Sequence, residues 1–266
     1  SLAFNQTIAT LNNKKEIISK KSTGYTIKLA NTLEEREAAY RLAYKVYLDK
    51  GYIKKNIFEW LVKKQDSNPD TATLIVLDAY KKVVGTVTMI FDGANSLPAH
   101  SIYFNEINTL RSRQEKIVEI SRLVIDHDHR NSKEILVLLF NYLYIYSYFV
   151  KKFTCLAIEV NPRHTAFYEA LLHFNTIGTE KPCPEVQCAP AILMYISLKH
   201  GQEEVLRLSK ITEPEIKNRS LYPYFLNPEQ QSLVAHYLAK QFKSISEEEK
   251  IYFGFTDSTI GIKVCT

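Results

Sequence analysis

No two of the four cysteines, Cys155, Cys183, Cys188 and Cys265, stand at a spacing that holds a metal ion or frames a disulfide-stapled fold. Cys183 and Cys188 flank Pro184 with no histidine nearby, and Cys155 opens an apolar run as a small buried side chain does. No metal site is therefore expected, and a reducing cytoplasm is the default compartment. No secretory signal follows Ser1, although a chain that starts without methionine leaves a removed leader open. No apolar run is long enough to cross a membrane. The one candidate, Ile135 to Val150, falls short of a span and carries Asn141 and several tyrosines. It reads as a helix buried in a folded core, with peripheral membrane contact left open. A dense stripe of Lys and Arg is missing as well. The 34 basic against 29 acidic side chains leave a formal charge of +5, which excludes a nucleic-acid binder of the usual kind and suits an acidic protein partner.

Hydrophobic residues make up 45% of the chain and charged residues 24%, the balance of a folded globular protein. Its 266 residues suffice for one large domain or a domain with an appendage. Residues 1–22 are polar and lysine-rich, a flexible lead-in. Residues 23–199 carry the main α/β pattern, and 200–266 shift toward charged helices, a helical extension packed on the core. Within the main part a strand is expected at Tyr25 to Leu29, then a helix from Leu33 to Gly51 and a shorter one around Ile57 to Val62. A hairpin is expected from Thr73 to Phe91, turning at Asp78 to Lys82. Asp92 to Ser112 reads as irregular. Asn131-Ser-Lys-Glu134 has the form of a helix start for the long apolar helix, and Gly178 to Pro190 reads as a loop before a strand to Leu198. A mixed sheet with helices on both faces is the simplest packing for this order.

Two segments carry chemistry. In the first, the apolar run Cys155 to Val160 leads into Asn161-Pro-Arg-His164-Thr-Ala-Phe167-Tyr168. Asn161 is placed to cap exposed amides and Pro162 suits a first helical turn. Phe167, Leu171 and Phe174 form an apolar helical face with Tyr168 beside it. The second is Val118-Glu-Ile-Ser-Arg122-Leu-Val-Ile-Asp126, a strand by its alternation, with Glu119 and Ser121 on one side and Ile120 and Arg122 on the other. A carboxylate inside such a strand is costly unless paired or used. A surface Glu–Arg ion pair is the alternative to a functional one.

Glu-x-Ser-Arg, a long helix and then Asn-Pro-Arg-His…Phe-Tyr together resemble the long-chain N-acyl amino acid synthases of the FeeM type. These are relatives of the autoinducer (acyl-homoserine lactone) synthases in the GNAT superfamily. Tyr44-Lys-Val-Tyr-Leu-Asp-Lys-Gly-Tyr52, Gly85 to Asp92, Leu97-Pro98 and Ala189-Pro-Ala-Ile-Leu193 add to the resemblance, which covers about residues 33–198. It implies a GNAT-like fold and an N-acyltransferase that joins a fatty acyl group from acyl carrier protein to the amine of a small-molecule amino acid. No tightly bound cofactor is implied; acyl-phosphopantetheine is the donor substrate, with acyl-CoA the other candidate.

The resemblance also assigns roles. Glu119 is expected to be the general base for the amine, directly or through a water, and Tyr168 the proton donor to the leaving sulfur. A phenol with an ordinary pKa near 10 stays protonated at neutral pH. Backbone amides near the end of the Glu119 strand are the expected oxyanion donors. Ser121, Arg122, Asn161 and His164 are the candidate substrate contacts. Coenzyme A-dependent relatives carry glycines where this chain has Arg130-Asn-Ser-Lys133-Glu-Ile135, so close approach of a diphosphate to bare amides is disfavoured. Arg130 and Lys133 are instead candidates for the pantetheine phosphate or an acidic carrier surface, or are plain exposed helix-start residues. Ala43 stands where autoinducer synthases often carry an arginine, which disfavours an S-adenosylmethionine-like acceptor. The remaining alternatives are an acyl-homoserine lactone synthase, an acetyl-CoA-dependent acetyltransferase and a non-catalytic GNAT-fold binding module.

Overall fold

The computed structural model describes residues 24–94, 96–209 and 220–255, so the lead-in expected over 1–22 lies outside the described residues. Its core is one open sheet in the order β1-β2-β3-β4-β5-β8-β6, with β7 paired to β8 off that path. The strands are β1 (Thr26–Leu29), β2 (Ala72–Leu77), β3 (Val83–Phe91), β4 (Ile117–Ile125), β5 (Cys155–Val160), β6 (Asn175–Thr176), β7 (Lys181–Cys183) and β8 (Ala189–Ser197). All neighbours are antiparallel except β4 and β5, which run parallel. The helices are α1 (Leu33–Asp49), α2 (Phe104–Ser112), α3 (Lys133–Ile145), α4 (Thr165–Leu172), α5 (Leu198–Ser209), α6 (Pro228–Gln241) and α7 (Glu247–Tyr252). This is the expected GNAT-like mixed sheet flanked by helices.

Parallel pairing of β4 with β5 holds from Ile117↔Cys155 to Ile120↔Ile158 and then stops, while β4 runs on to Ile125. Past that point the two strands separate. A second irregularity lies on the other side of β4, where its register with β3 shifts between Thr86 and Thr88. The extra residue accommodated there is at Arg122, whose backbone is left-handed (φ 49°). A bulge beside a split between strands leaves backbone groups unpaired in the middle of a sheet.

The two faces of the sheet are covered differently. Leu74, Val76, Val87, Met89, Val118, Ile120, Leu156 and Ile158 share one face and pack under α3 and the C-terminal helices. Leu221, Tyr222, Val234 and Leu238, all beyond residue 200, belong to the same cluster. On the opposite face, α1 lies over the β1–β3 end through Ala39 and Ile75, and α2 lies over the β5–β8 end through Ile107, Ala157 and Leu193. The C-terminal segment is also pinned to α1. Arg36 donates to Glu249 at 2.5 Å and to the Lys243 carbonyl at 2.6 Å, while Asn31 bonds the Gln241 carbonyl at 2.7 Å.

Several sequence expectations are corrected. Ile57 to Val62 is not helical, because the Asn56 side chain accepts from the amides of Phe58 and Glu59 and closes a turn instead. The segment read as irregular, Asp92 to Ser112, contains a 3₁₀ turn (Pro98–Ser101) and α2. The cap of α3 is Ser132, which accepts from the Ile135 amide at 3.2 Å, rather than Asn131. The loop from Gly178 holds β7. Cys155 is buried, as expected, and like Cys183 is a free thiol, whereas Cys188 is disulfide-bonded, which the spacing did not suggest.

Candidate active site

Glu119 projects from the middle of β4 on the face that α1 and α2 leave uncovered between them. Its register partners are Ile90 on β3 and Ala157 on β5. Thr73, Thr88 and Ser121 leave the same face, each buried, so a polar stripe crosses three strands in an otherwise apolar sheet. Thr73 and Thr88 bond each other at 2.9 Å, and Ser121 stands opposite Thr88. Glu119 accepts from the Ala99 amide at 2.9 Å, at the start of the Pro98–Ser101 turn. Burial first, and then the neighbouring Glu159, hold its pKa well above the usual carboxylate range; Lys63 and the Ala99 N–H act the other way. A carboxyl with raised proton affinity is a stronger base once ionised.

Glu119 has companions that sequence reasoning missed. Glu159 on β5 is raised to a pKa of about 7, by burial above all and by Glu185, against the pull of Lys63. Lys63 pairs with Glu185 at 2.5 Å, and its ammonium is held charged by Glu185 and Glu119 despite its burial. Cys183 donates weakly to Glu159 at 3.6 Å, and burial pushes its thiol up to about 12. Lys63 and Glu185 come from two loops far apart in the chain, so no local spacing announces them. For Glu159 a signal existed: a carboxylate alternating into an apolar strand, the argument already applied to Glu119.

The Arg122 guanidinium grips Asp66 with two N–H groups, one at 2.6 Å, and donates a further bond to the Leu61 carbonyl at 2.9 Å. The ring of Tyr40 stacks against it at 5.3 Å. These bonds tie β4 to the loop before β2, and Nε is left buried without a hydrogen-bond partner. The Glu–Arg ion pair considered as the alternative does not form.

Tyr168 packs its ring against Phe140, Phe167 and Phe174, at the partly buried margin of the cluster under α3. Burial, then the adjacent Tyr47, raises its phenol pKa, so it stays a proton donor throughout the neutral range. Tyr47 in turn lies close to Lys63, which neighbours Glu119. Phenol and carboxyl are thus connected through Tyr47 and Lys63 without touching. Asn161 caps its turn through the Arg163 amide at 3.3 Å. His164 is exposed and accepts from Arg163 Nε at 3.2 Å; burial and the cations Arg163 and Lys50 lower its pKa. Arg163 also reaches Tyr52 at 3.1 Å, which joins the end of α1 to the start of α4.

The two donor candidates separate. Arg130 lines an open groove of about 370 Å³ with Tyr25, His127, His129 and Ser132, and bonds His127 at 3.1 Å. Lys133 instead rests its ammonium on the Tyr224 ring at 3.6 Å. Ile135, at one of the missing glycines, is buried against the sheet. A Cβ on Gly85 would come within 2.7 Å of its side chain, so the absence of a side chain on the strand lets the helix pack close. Beneath α3 little space is left. Phe140, Tyr144, Leu156, Leu172, Phe174 and Ile196 enclose about 20 Å³, the scale of one water.

The sequence model of the family described as "N-acyl amino acid synthase FeeM" matches residues 38–197. Among solved structures, FeeM, an N-acyl amino acid synthase from uncultured soil microbes, is similar at 28% identity with a TM-score of 0.59, over 67% of this chain and 93% of that one. BjaI, a CoA-dependent acyl-homoserine lactone synthase, shares the fold at 17% identity and a TM-score of 0.53, over 73% and 92% of the two chains. The AHL synthase LasI does so at 16% and 0.50, over 66% and 91%. No curated protein sequence matches the chain.

Proposed function

The chain belongs to the FeeM family of N-acyl amino acid synthases and is an N-acyltransferase; from that premise we propose that it moves a long-chain fatty acyl group from the phosphopantetheine of acyl carrier protein to the α-amine of an amino acid. The observation that carries this reading is Glu119, a buried and strongly basic carboxyl on a polar stripe where β4 and β5 part. Glu119 takes a proton from the amine, whose nitrogen attacks the thioester carbonyl carbon. Amides freed by the Arg122 bulge stabilise the oxyanion. The carbon–sulfur bond breaks, and Tyr168 protonates the departing sulfur. Ser121, beside Glu119, and Asn161 and His164, at the mouth, are the remaining acceptor-side contacts.

On the donor side, the buried side chain of Ile135 stands where a glycine would expose amides to a diphosphate. A single phosphodiester needs less, and Arg130 in its groove supplies a cation for it. Ala43, a buried uncharged residue of α1, favours a plain amino acid over a sulfonium acceptor. Work on a cytoplasmic carrier protein places the enzyme in the cytoplasm. No helix among the described residues is long and apolar enough to cross a membrane.

The test is a two-donor competition. Long-chain acyl carrier protein and the matching acyl-CoA are offered with the common amino acids, and products are identified by mass spectrometry. N-acyl amino acids drawn mainly from the carrier-bound donor are expected. Homoserine lactones, or acetylation from acetyl-CoA alone, would overturn the reading.

A further inference from the structure

Glu159 is a partly buried ionisable group that the acyl transfer leaves unused. It stands two residues beyond Ala157, the register partner of Glu119, so both carboxyl side chains leave the same face of neighbouring strands. They flank the last register pair, Ile120 and Ile158, where β4 and β5 begin to part. One carboxyl oxygen of Glu159 accepts only the weak bond from Cys183, and the other is buried with no hydrogen-bond partner. Enclosing an acceptor without a donor is costly, and such an orphan calls for an explanation, a missing ligand among them. Lys63 acts on Glu159 through its charge but pairs with Glu185 at 2.5 Å, and no hydrogen bond joins it to Glu159. The groups facing the two carboxyls are Lys63 and Glu185 from the covering loops, Cys183 at the end of β7, and the Ala99 amide. Two closely spaced acceptors short of donors fit a primary ammonium, which has three N–H groups and a positive charge.

We propose that Glu119 and Glu159 together seat the ammonium group of the acceptor, Glu119 removing its proton and Glu159 holding the nitrogen in line with the thioester. The inference rests on the N-acyltransferase reading and adds a second carboxyl that contacts substrate. The protons balance. An ammonium sheds two protons to become an amide nitrogen: Glu119 takes the first, and the second leaves after the carbon–nitrogen bond forms. The sulfur gains one proton as the carbon–sulfur bond breaks, so one proton in all passes to solvent. The pair also predicts discrimination, since a 2-hydroxy acid brings one donor and no charge to two carboxylates.

The full chain carrying Glu159→Gln, and separately Glu159→Asp, is to be assayed with an acyl-carrier donor while the amino acid is varied. For Glu159→Gln the acceptor KM is expected to rise about ten-fold or more with donor KM within about two-fold, and the acid limb of kcat/KM to move to lower pH. Glu159→Asp, which keeps the charge, is expected to recover part of the acceptor KM. An acceptor KM and an acid limb both unchanged in Glu159→Gln would overturn the proposal. A second readout needs no activity: the side-chain carboxyl carbons of Glu119 and Glu159, followed by NMR in the wild-type chain. A coupled titration sustains the pair and independent titrations overturn it, even if no amine is found to be acylated and the broader reading has failed.

Discussion

Arg122 and Glu119 lie three residues apart on one strand, and each is 3% exposed. Nothing in their immediate sequence separates a structural charge from a reactive one. Arg122 is surrounded by partners: the two oxygens of Asp66, a carbonyl and a ring face. Glu119 has one backbone donor, and its largest charged neighbour is another carboxylate. A buried ion whose counter-charge is in place ties the fold together, even though Arg122 keeps one nitrogen, Nε, without a partner. A buried ion with too few partners is costly to keep, and that unmet demand is what a substrate can satisfy.

The comparison is broken most severely at Asp66. Asp66→Ala leaves the Arg122 guanidinium buried without its counter-ion and is expected to cost about 3–5 kcal/mol by urea denaturation. Replacing both partners by apolar residues is expected to restore much of that loss. A single substitution that proves neutral would mean that the tie is not structural.

The effect is smaller, and opposite in sign for stability, at Glu119. Glu119→Gln is expected to reduce kcat by about 10²-fold or more, as for loss of a general base. Its folded-state pKa lies above the unfolded value, so the native state binds the proton more tightly. Stability from that group is therefore complete below about pH 4 and is lost as pH rises through the folded pKa. The amide has no such loss. The variant is expected to melt higher than wild type at pH 8 and near it at pH 4.5, and calorimetry at the two pH values checks this.

The smallest effects are expected at the donor groove and sharpen the same rule. Arg130→Glu is expected to raise the KM for the acyl-carrier donor several-fold, an amount on the scale of about 1 kcal/mol for an exposed ion pair. Lys133→Glu should do less, because its ammonium already rests on Tyr224. Equal effects of the two in steady-state assays would show that their different surroundings do not matter.

Much of the architecture was legible in the chain. Period-two alternation located β4 and the β2–β3 hairpin, and the helical character read beyond residue 200 is met by α6, whose Asn227 cap accepts from the Gln230 amide at 3.0 Å. Local signals failed where side chains compete with helix formation. Asn56 closes a turn that apolar spacing alone reads as a helix, and α2 is a nine-residue helix entered from an uncapped Tyr103. Tyr103 is fully buried with its hydroxyl bonded to the Thr179 and Ala191 carbonyls, so tertiary contacts place this helix start where no cap does.

Sequence alone determined the order of elements, the two motif segments and the charge on β4, because periodicity, capping and turn chemistry act between neighbours along the chain. Only the tertiary structure decided which charges are spoken for. Asp66 reaches Arg122 across 56 positions, and Glu159 approaches Glu119 across a parallel pair of strands. The pKa of a buried group depends on what folding brings within a few ångströms, through desolvation and Coulomb terms that no local spacing encodes.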